Sequence, residues 1–241
     1  MPTLDASTLL SLWEAGAGEL LLGRALSLLP AAYPERSMAE WARAPIGERD
    51  SRLLDLRECL FGSRLEMLAP CPRCGEMLEL NFQTGDVRAR AQAPESLGHL
   101  ARDGYEIEYR LPASEDLLAV ANDAEHAANL LFDRCIVRAR QNGAEIAAAA
   151  LPDQIRQAVE SEMPALDPSA ECQVALECAR CGHQWTVLFD IVSYLWSELE
   201  DWAQRTLRDV HALASAYGWS EREILSLSPG RRQLYVELAT G

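Results

Sequence analysis

The sequence predicts an α+β fold, mainly α-helical. It combines a discontinuous four-cysteine zinc ribbon of two β-hairpins with a helical N-terminal region, a helical insertion, and a long C-terminal helix followed by two short helices. Three observations predict it. Cys71-Pro72-Arg73-Cys74-Gly75 and Cys178-Ala179-Arg180-Cys181-Gly182-His183 carry the same Cys-x-x-Cys-Gly pattern. Alternating apolar residues flank both stretches, as strands with one buried face require. Elsewhere apolar residues recur every three or four positions, the period of an amphipathic helix.

Cys-x-x-Cys-Gly has the shape of a zinc knuckle. Two thiolates face one metal from a tight turn, and the glycine lets the backbone fold under the sulfurs. A structural zinc takes four ligands in a tetrahedron. One knuckle supplies half of them, so Cys71, Cys74, Cys178 and Cys181 together fill one site. Roughly a hundred residues separate the halves, longer than the usual ribbon spacing. The expectation is one structural zinc ion per chain. A redox pair is the other common use of Cys-x-x-Cys, but neither stretch has a thioredoxin-like strand-helix context. Disulfides and independent sites are the remaining alternatives. His183 could replace a cysteine as ligand; it is read as packing or hydrogen-bonding beside the site.

The chain of 241 residues fits one large domain or two small ones, and 49% hydrophobic residues suffice for a core. Cys59, Cys135 and Cys172 are left outside the knuckles. Cys59 and Cys135 lie in apolar helical contexts and are read as buried free thiols. This usage suits a reducing cytoplasm. No basic leader segment opens the sequence, and no apolar run approaches a membrane span, so no membrane partner is expected. The net charge of −15 argues against nucleic acid as partner, since such affinity rests on cationic contacts to phosphate. All 22 cationic side chains are arginine.

Residues 1–62 read as the N-terminal helical region. Asp5 caps a helix carrying Leu9, Leu10 and Trp13. A second helix with Leu20 to Leu29 is expected to end at Pro30, and a short one spans Met38 to Ala42. A helix from about Glu48 to Phe61 stops at Gly62. Residues 63–111 and 170–190 form the ribbon and β region. Leu78, Leu80 and Phe82 alternate after the first knuckle, as do Tyr105, Ile107 and Tyr109 further on. Val87 to Leu100 is weakly patterned and read as loop. Val174 and Leu176 alternate into the second knuckle, and Trp185, Val187 and Phe189 out of it.

Residues 112–169 read as an inserted helical subdomain. Ser114 caps one helix, a second runs from about Ala124 to Ala139, and Pro152 opens a third. Residues 191–241 hold the long helix and the helical pair. Val192, Leu195, Leu199, Trp202, Thr206, Val210, Leu213 and Tyr217 form one stripe, with Trp196, Ala203, Leu207 and Ala214 beside it. Two stripes are wider than one core-facing seam needs. Gly218 ends this helix, Ser220-Glu221-Arg222-Glu223 is a capping box, and Ser228-Pro229 opens the last helix.

Phe189-Asp190-Ile191, Leu195-Trp196, Trp202-Ala203, Val210-His211-Ala212-Leu213-Ala214, Tyr217-Gly218-Trp219-Ser220, Glu223-Ile224-Leu225 and Arg231-Arg232-Gln233-Leu234-Tyr235 carry a resemblance. So do Pro45-Ile46-Gly47-Glu48-Arg49-Asp50 with Phe61-Gly62, Arg110-Leu111-Pro112 with Asp116-Leu117-Leu118, Arg134-Cys135, and both knuckles. The chain resembles the baseplate hub assembly proteins of T-even-type contractile phage tails and related contractile injection systems. The resemblance implies a non-enzymatic structural or chaperone-like assembly protein that binds baseplate hub or neighbouring tail proteins. It acts in the bacterial cytoplasm during assembly or as part of the finished particle. Trp196, Trp202, Trp219 and Tyr235 are the expected partner anchors, since buried aromatics dominate interface energies.

The alternative is a zinc-ribbon nucleic-acid-binding or transcription-associated protein, with Arg73 and Arg180 inside the knuckles and Arg88 and Arg90 nearby. Glu76, Glu79, Asp86 and Glu177 offset those arginines. An enzyme is not expected. A catalytic zinc keeps an open position, which four cysteines close, and His99, His126 and His211 stand isolated from any nucleophile motif. No small-molecule substrate is expected.

Overall fold

A computed structural model of the chain describes residues 4–88 and 97–240. It contains two compact units, Met1–Glu35 with Val192–Gly241, and Arg36–Ile191. The fold is α+β, as the sequence predicts.

Helix α1 (Ala6–Gly16) opens where Asp5 Oδ1 accepts the Thr8 N–H at 2.7 Å. Helix α2 (Leu21–Ala32) runs past Pro30, its expected end. Pro30 gives up its own N–H and crowds the carbonyl four residues back, yet the ladder closes beyond it, where Tyr33 N–H reaches Leu29 O at 2.7 Å. Helix α3 (Met38–Arg43) starts at a Ser37–Glu40 capping box. Helix α4 (Ile46–Phe61) ends at Gly62, whose φ of +88° suits only glycine. Cys59 lies exposed on α4, not buried as expected; it falls on the side away from buried Leu53, Leu54 and Arg57. Cys135 is buried as expected.

Strands β1 (Arg64–Pro70) and β2 (Met77–Gln83) form one antiparallel hairpin, followed by the single turn α5 (Thr84–Val87). Strands β3 (Leu97–Arg102) and β4 (Tyr105–Arg110) precede α6 (Ser114–Val120) and α7 (Ala127–Cys135). Then come β5 (Ile136–Gln141), the two-residue β6 (Ala144–Glu145), a 3₁₀ turn (Ala148–Ala150) and α8 (Asp153–Leu166). These strands make a four-stranded sheet in the order β3-β4-β5-β6. Leu100, Ile107, Tyr109 and Ala139 of the sheet pack with Phe132 of α7 and Ile155 and Val159 of α8.

Three local expectations change here. Of the stretch read as loop, residues 89–96 lie outside the described residues, and Leu97–Arg102 is a strand. Its inward positions are Gly98 and Leu100, so half of its apolar alternation carries no side chain. Gly98 is required there: a Cβ would sit 2.3 Å from the Tyr109 ring. The helix expected to reach Ala139 stops at Cys135, because Ile136 and Ala139 pair with Tyr109 and Ile107 of β4. β-branched Ile136 and Val137 favour that outcome. Ser114 is the first residue of α6 and not its cap. The Asp116 carboxylate takes the Ala113 N–H at 3.0 Å instead, and Ser114 Oγ accepts from Arg49 Nη1 at 2.9 Å.

Strands β7 (Gln173–Glu177) and β8 (Gln184–Leu188) form the second antiparallel hairpin. Helix α9 (Ile191–Tyr217) is the longest element, followed by α10 (Glu221–Leu225) and α11 (Pro229–Thr240). Within the unit of the two chain ends, Trp196 of α9 fills the space above Gly16, where a Cβ would lie 2.2 Å from the indole. The Arg24 guanidinium covers that ring at 4.8 Å, and Trp13 Nε1 donates to Glu200 at 2.6 Å. A second apolar cluster joins Val210 and Leu213 of α9 to Ile224 of α10, with Trp219 and Tyr235 packed on it.

Candidate metal centre

Each hairpin ends in a knuckle, and the two are built alike. In the first, Cys71 N–H donates to Glu76 O at 2.8 Å and Gly75 N–H to Cys71 O at 2.9 Å. In the second, Cys178 N–H donates to His183 O at 2.9 Å and Gly182 N–H to Cys178 O at 2.8 Å. Gly75 and Gly182 have φ of +74° and +67°, the left-handed backbone that turns the chain under the sulfurs. Arg180 of the second knuckle pairs with Glu76 of the first at 2.9 Å.

The four Sγ atoms of Cys71, Cys74, Cys178 and Cys181 all lie within 4.8 Å of one another. Cys71 Sγ is 3.7 Å from Cys181 Sγ, and Cys74 Sγ is 3.6 Å from Cys178 Sγ. A tetrahedral zinc with Zn–S near 2.3 Å holds its sulfurs about 3.8 Å apart, whereas a disulfide needs about 2.05 Å. Both of these contacts run between knuckles, so the hairpins meet through their sulfurs.

The electrostatics point the same way. Burial pushes the Cys71 thiol up, but the N–H groups of Cys74 and Arg73 and the neighbouring sulfurs bring it down to about 7. The Glu76 N–H draws Cys74 down, yet burial and the other three sulfurs outweigh it and push Cys74 up to about 12. One sulfur ionises readily and the next resists, because like charges at this distance oppose each other. A dication removes that opposition, and the four-sulfur donor set fits one. His183 stays beside the cluster, stacked on Trp185 with ring centroids 5.8 Å apart.

A second polar node lies in the same unit. Asp116, fully buried, accepts Arg110 through two bonds of 2.6 and 2.7 Å and Arg134 Nε at 2.8 Å. Burial would raise its carboxyl, but the bonds from Arg110, Ala113 and Arg134 outweigh that and hold it below the usual carboxylate range. Gly47 N–H donates to Asp167 at 2.9 Å, and a Cβ on Gly47 would sit 1.8 Å from that carboxylate. Burial pushes the Asp167 carboxyl up.

The family model described as T4 bacteriophage base plate protein matches residues 33–196. The chain belongs to the T4 bacteriophage base plate protein family. No curated protein and no solved structure matches it. The base plate family match spans the whole compact unit Arg36–Ile191, with all four cysteines and the Asp116 node. Most of the C-terminal residues that carry the hub-assembly resemblance lie beyond it.

The expected partner residues fall in the other unit. Trp196 is buried against α1 and α2, Trp202 is half-buried on α9, and Trp219 and Tyr235 stand together with ring centroids 5.0 Å apart. In the sequence Arg110, Asp116 and Arg134 belong to stretches that carry the resemblance, with no role read for the three together. Each is one residue of a separate short motif, and only the fold brings them together. No helix among the described residues is long and apolar enough to cross a membrane.

Proposed function

We propose that this base plate family protein is a non-enzymatic structural or assembly protein of a contractile tail baseplate hub, chaperone-like in action, with one structural zinc on Cys71, Cys74, Cys178 and Cys181. The family match across 33–196 carries the tail role. The closed four-sulfur donor set supports a structural rather than catalytic metal. Bound there, zinc would fix the two hairpins to each other and hold all four thiolates ionised.

The docking element in this proposal is α9 with α10 and α11. Trp196 serves the unit's own interior, which leaves Trp202, Trp219 and Tyr235 as anchors. Exposed Leu234 and Leu238 on α11 add apolar surface. Co-purification of tail proteins by the intact chain tests the assembly role, and a chain ending at Tyr217 tests the docking element. The truncated, folded, metal-loaded chain is expected to recover hub proteins poorly. Full recovery would remove α10 and α11 from the interface. Recovery of no tail protein by the intact chain would overturn the assembly role itself.

A further inference from the structure

Both hairpins of the metal centre are only two strands wide, so each strand has one backbone edge without a strand partner among the described residues. The alternation of the ladder tells which residues of β2 face outward. Cys71 N–H donates to Glu76 O at one end of the β1–β2 pair, and Thr84 N–H to Ser63 O at the other. Hydrogen-bonded and non-bonded pairs alternate along an antiparallel ladder. Leu78 opposite Ala69 and Leu80 opposite Met67 are therefore bonded pairs, and Met77, Glu79 and Asn81 turn their backbone groups to the free edge. Pro70, with no N–H to give, sits opposite Met77 at a non-bonded position.

Exposed edges are normally blunted by proline, lysine or a bulge. The β2 sequence Met-Leu-Glu-Leu-Asn-Phe-Gln has no proline and no cation, and its pairing with β1 runs without a register shift. Met77 is 56% exposed. An open groove runs beside the strand, lined by the consecutive residues 76–80 and, across from them, by Glu177 and Arg180. Consecutive strand residues point to opposite faces, so this groove follows the backbone edge rather than one face. Arg180 neutralises Glu76. Among the described residues, Glu79 and Glu177 have no cation within salt-bridge distance; Glu177 accepts only the Gln184 amide.

We infer that the free edge of β2 receives an added strand from another protein, an extended segment alternating arginine or lysine with apolar residues. Its backbone pairs with Met77, Glu79 and Asn81. Its basic side chains fall on the face of Glu79 and reach Glu177, and its apolar ones fall beside Leu78 and Leu80. A second copy of this chain is the wrong occupant, because antiparallel self-pairing about Glu79 sets carboxylate against carboxylate. The assembly role proposed above supplies the partner's source, a basic segment of a neighbouring tail protein, and the inference rests on that role for the source alone.

The test uses the full, metal-loaded chain and a short labelled peptide of alternating arginine and valine, followed by fluorescence anisotropy. Saturable binding is expected. N-methylation of the peptide's pairing residues, Glu79→Arg and Asn81→Pro should each weaken it by about tenfold or more, since each removes a bonded or charged contact. Metal content and circular dichroism check the folding of Asn81→Pro, and Glu79→Arg, at an exposed position, decides the matter if that variant misfolds. Equal binding of the N-methylated peptide would reduce the contact to charge attraction and overturn the strand. A chain dimer dissolved by Asn81→Pro would overturn the choice of partner. The titration contains no tail protein, so its failure and a failure of the assembly role can be told apart.

Discussion

The buried polar residues of the two units differ in number and in purpose. In Arg36–Ile191 they include Arg49, Arg57, Thr84, Ser114, Asp116 and Asp167, joined by four clustered sulfurs. Among the described residues of Met1–Glu35 with Val192–Gly241 they are Thr206 and Arg232, and the deepest large apolar side chains include Leu29, Leu195, Leu199, Leu213 and Ile224. The first unit adds to its apolar cluster directional bonds that demand one geometry. The second is held by apolar area, which tolerates small shifts. Metal loss and single substitutions at these polar residues should therefore act on the first unit and leave the second intact.

Loss of the metal should separate the units most. Cys71→Ser and Cys178→Ser are expected to lower zinc content alike, from one ion per chain toward none, because the proposed site takes both as ligands of one ion. The cost should stay below the roughly 10 kcal/mol of small zinc peptides, since Leu100, Ile107 and Val159 keep their own cluster. Hydrogen exchange should rise over residues 64–83 and 173–188 while α9 stays protected. Unchanged metal at the first knuckle in Cys178→Ser would end the shared site.

Asp116→Ala comes next. It strands Arg110, Arg134 and the Ala113 N–H together, a loss of about 3–5 kcal/mol for a broken buried pair. Arg134 is 42% exposed, and water screening there places the value at the lower end. Urea unfolding of the variant, followed by exchange in β4 and α6, checks it. Trp196→Ala should cost about 3 kcal/mol by leaving a cavity over Gly16. That change should loosen α1 and α2 and leave zinc content unchanged. A fall in bound metal would mean the units are not energetically separate.

The smallest effect is the response to acid. Asp116 has a lowered carboxyl pKa, so its stabilisation is full above its unfolded value of about 3.9 and is lost as pH falls through the lower folded value. Asp50 and Asp167 have raised values, both from burial first. Their protonation favours the fold, and that contribution fades as pH rises through their folded values. The combined contribution of these three carboxyls should therefore hold or rise slightly from neutrality down to about pH 4, then fall below that pH. Asp116→Asn should flatten the acidic limb; an unchanged limb would assign acid sensitivity to other groups.

The knuckles were legible because ligand chemistry is local: two cysteines, their spacing and a glycine fit in five residues. The long helix was legible because its apolar period persists over 27 residues. What escaped depends on contacts distant in sequence. Gly98 hides the alternation of β3 because its neighbour's ring, not its own side chain, fills the interior. The strand after Cys135 becomes one because β4 is there to pair with it. The Asp116 node joins residues 110, 116 and 134, whose charges look like ordinary surface charge in any short window. Trp196 looked available because a helix stripe does not reveal that a glycine on another helix makes room for it.

One unit is enclosed in sequence by the other, and this orders events during synthesis. Residues 4–35 leave the ribosome long before 192–240 exist. At 5–20 residues per second the delay is roughly 10–30 s. Over that interval Leu26, Leu28 and Leu29 of α2 lack the α9 surface that belongs to their own unit. The enclosed unit can finish first, with its four clustered cysteines complete once Cys181 has emerged. The outer unit closes last, so residues 4–35 are the part of the newborn chain that waits longest for its partner surface and most needs protection from aggregation.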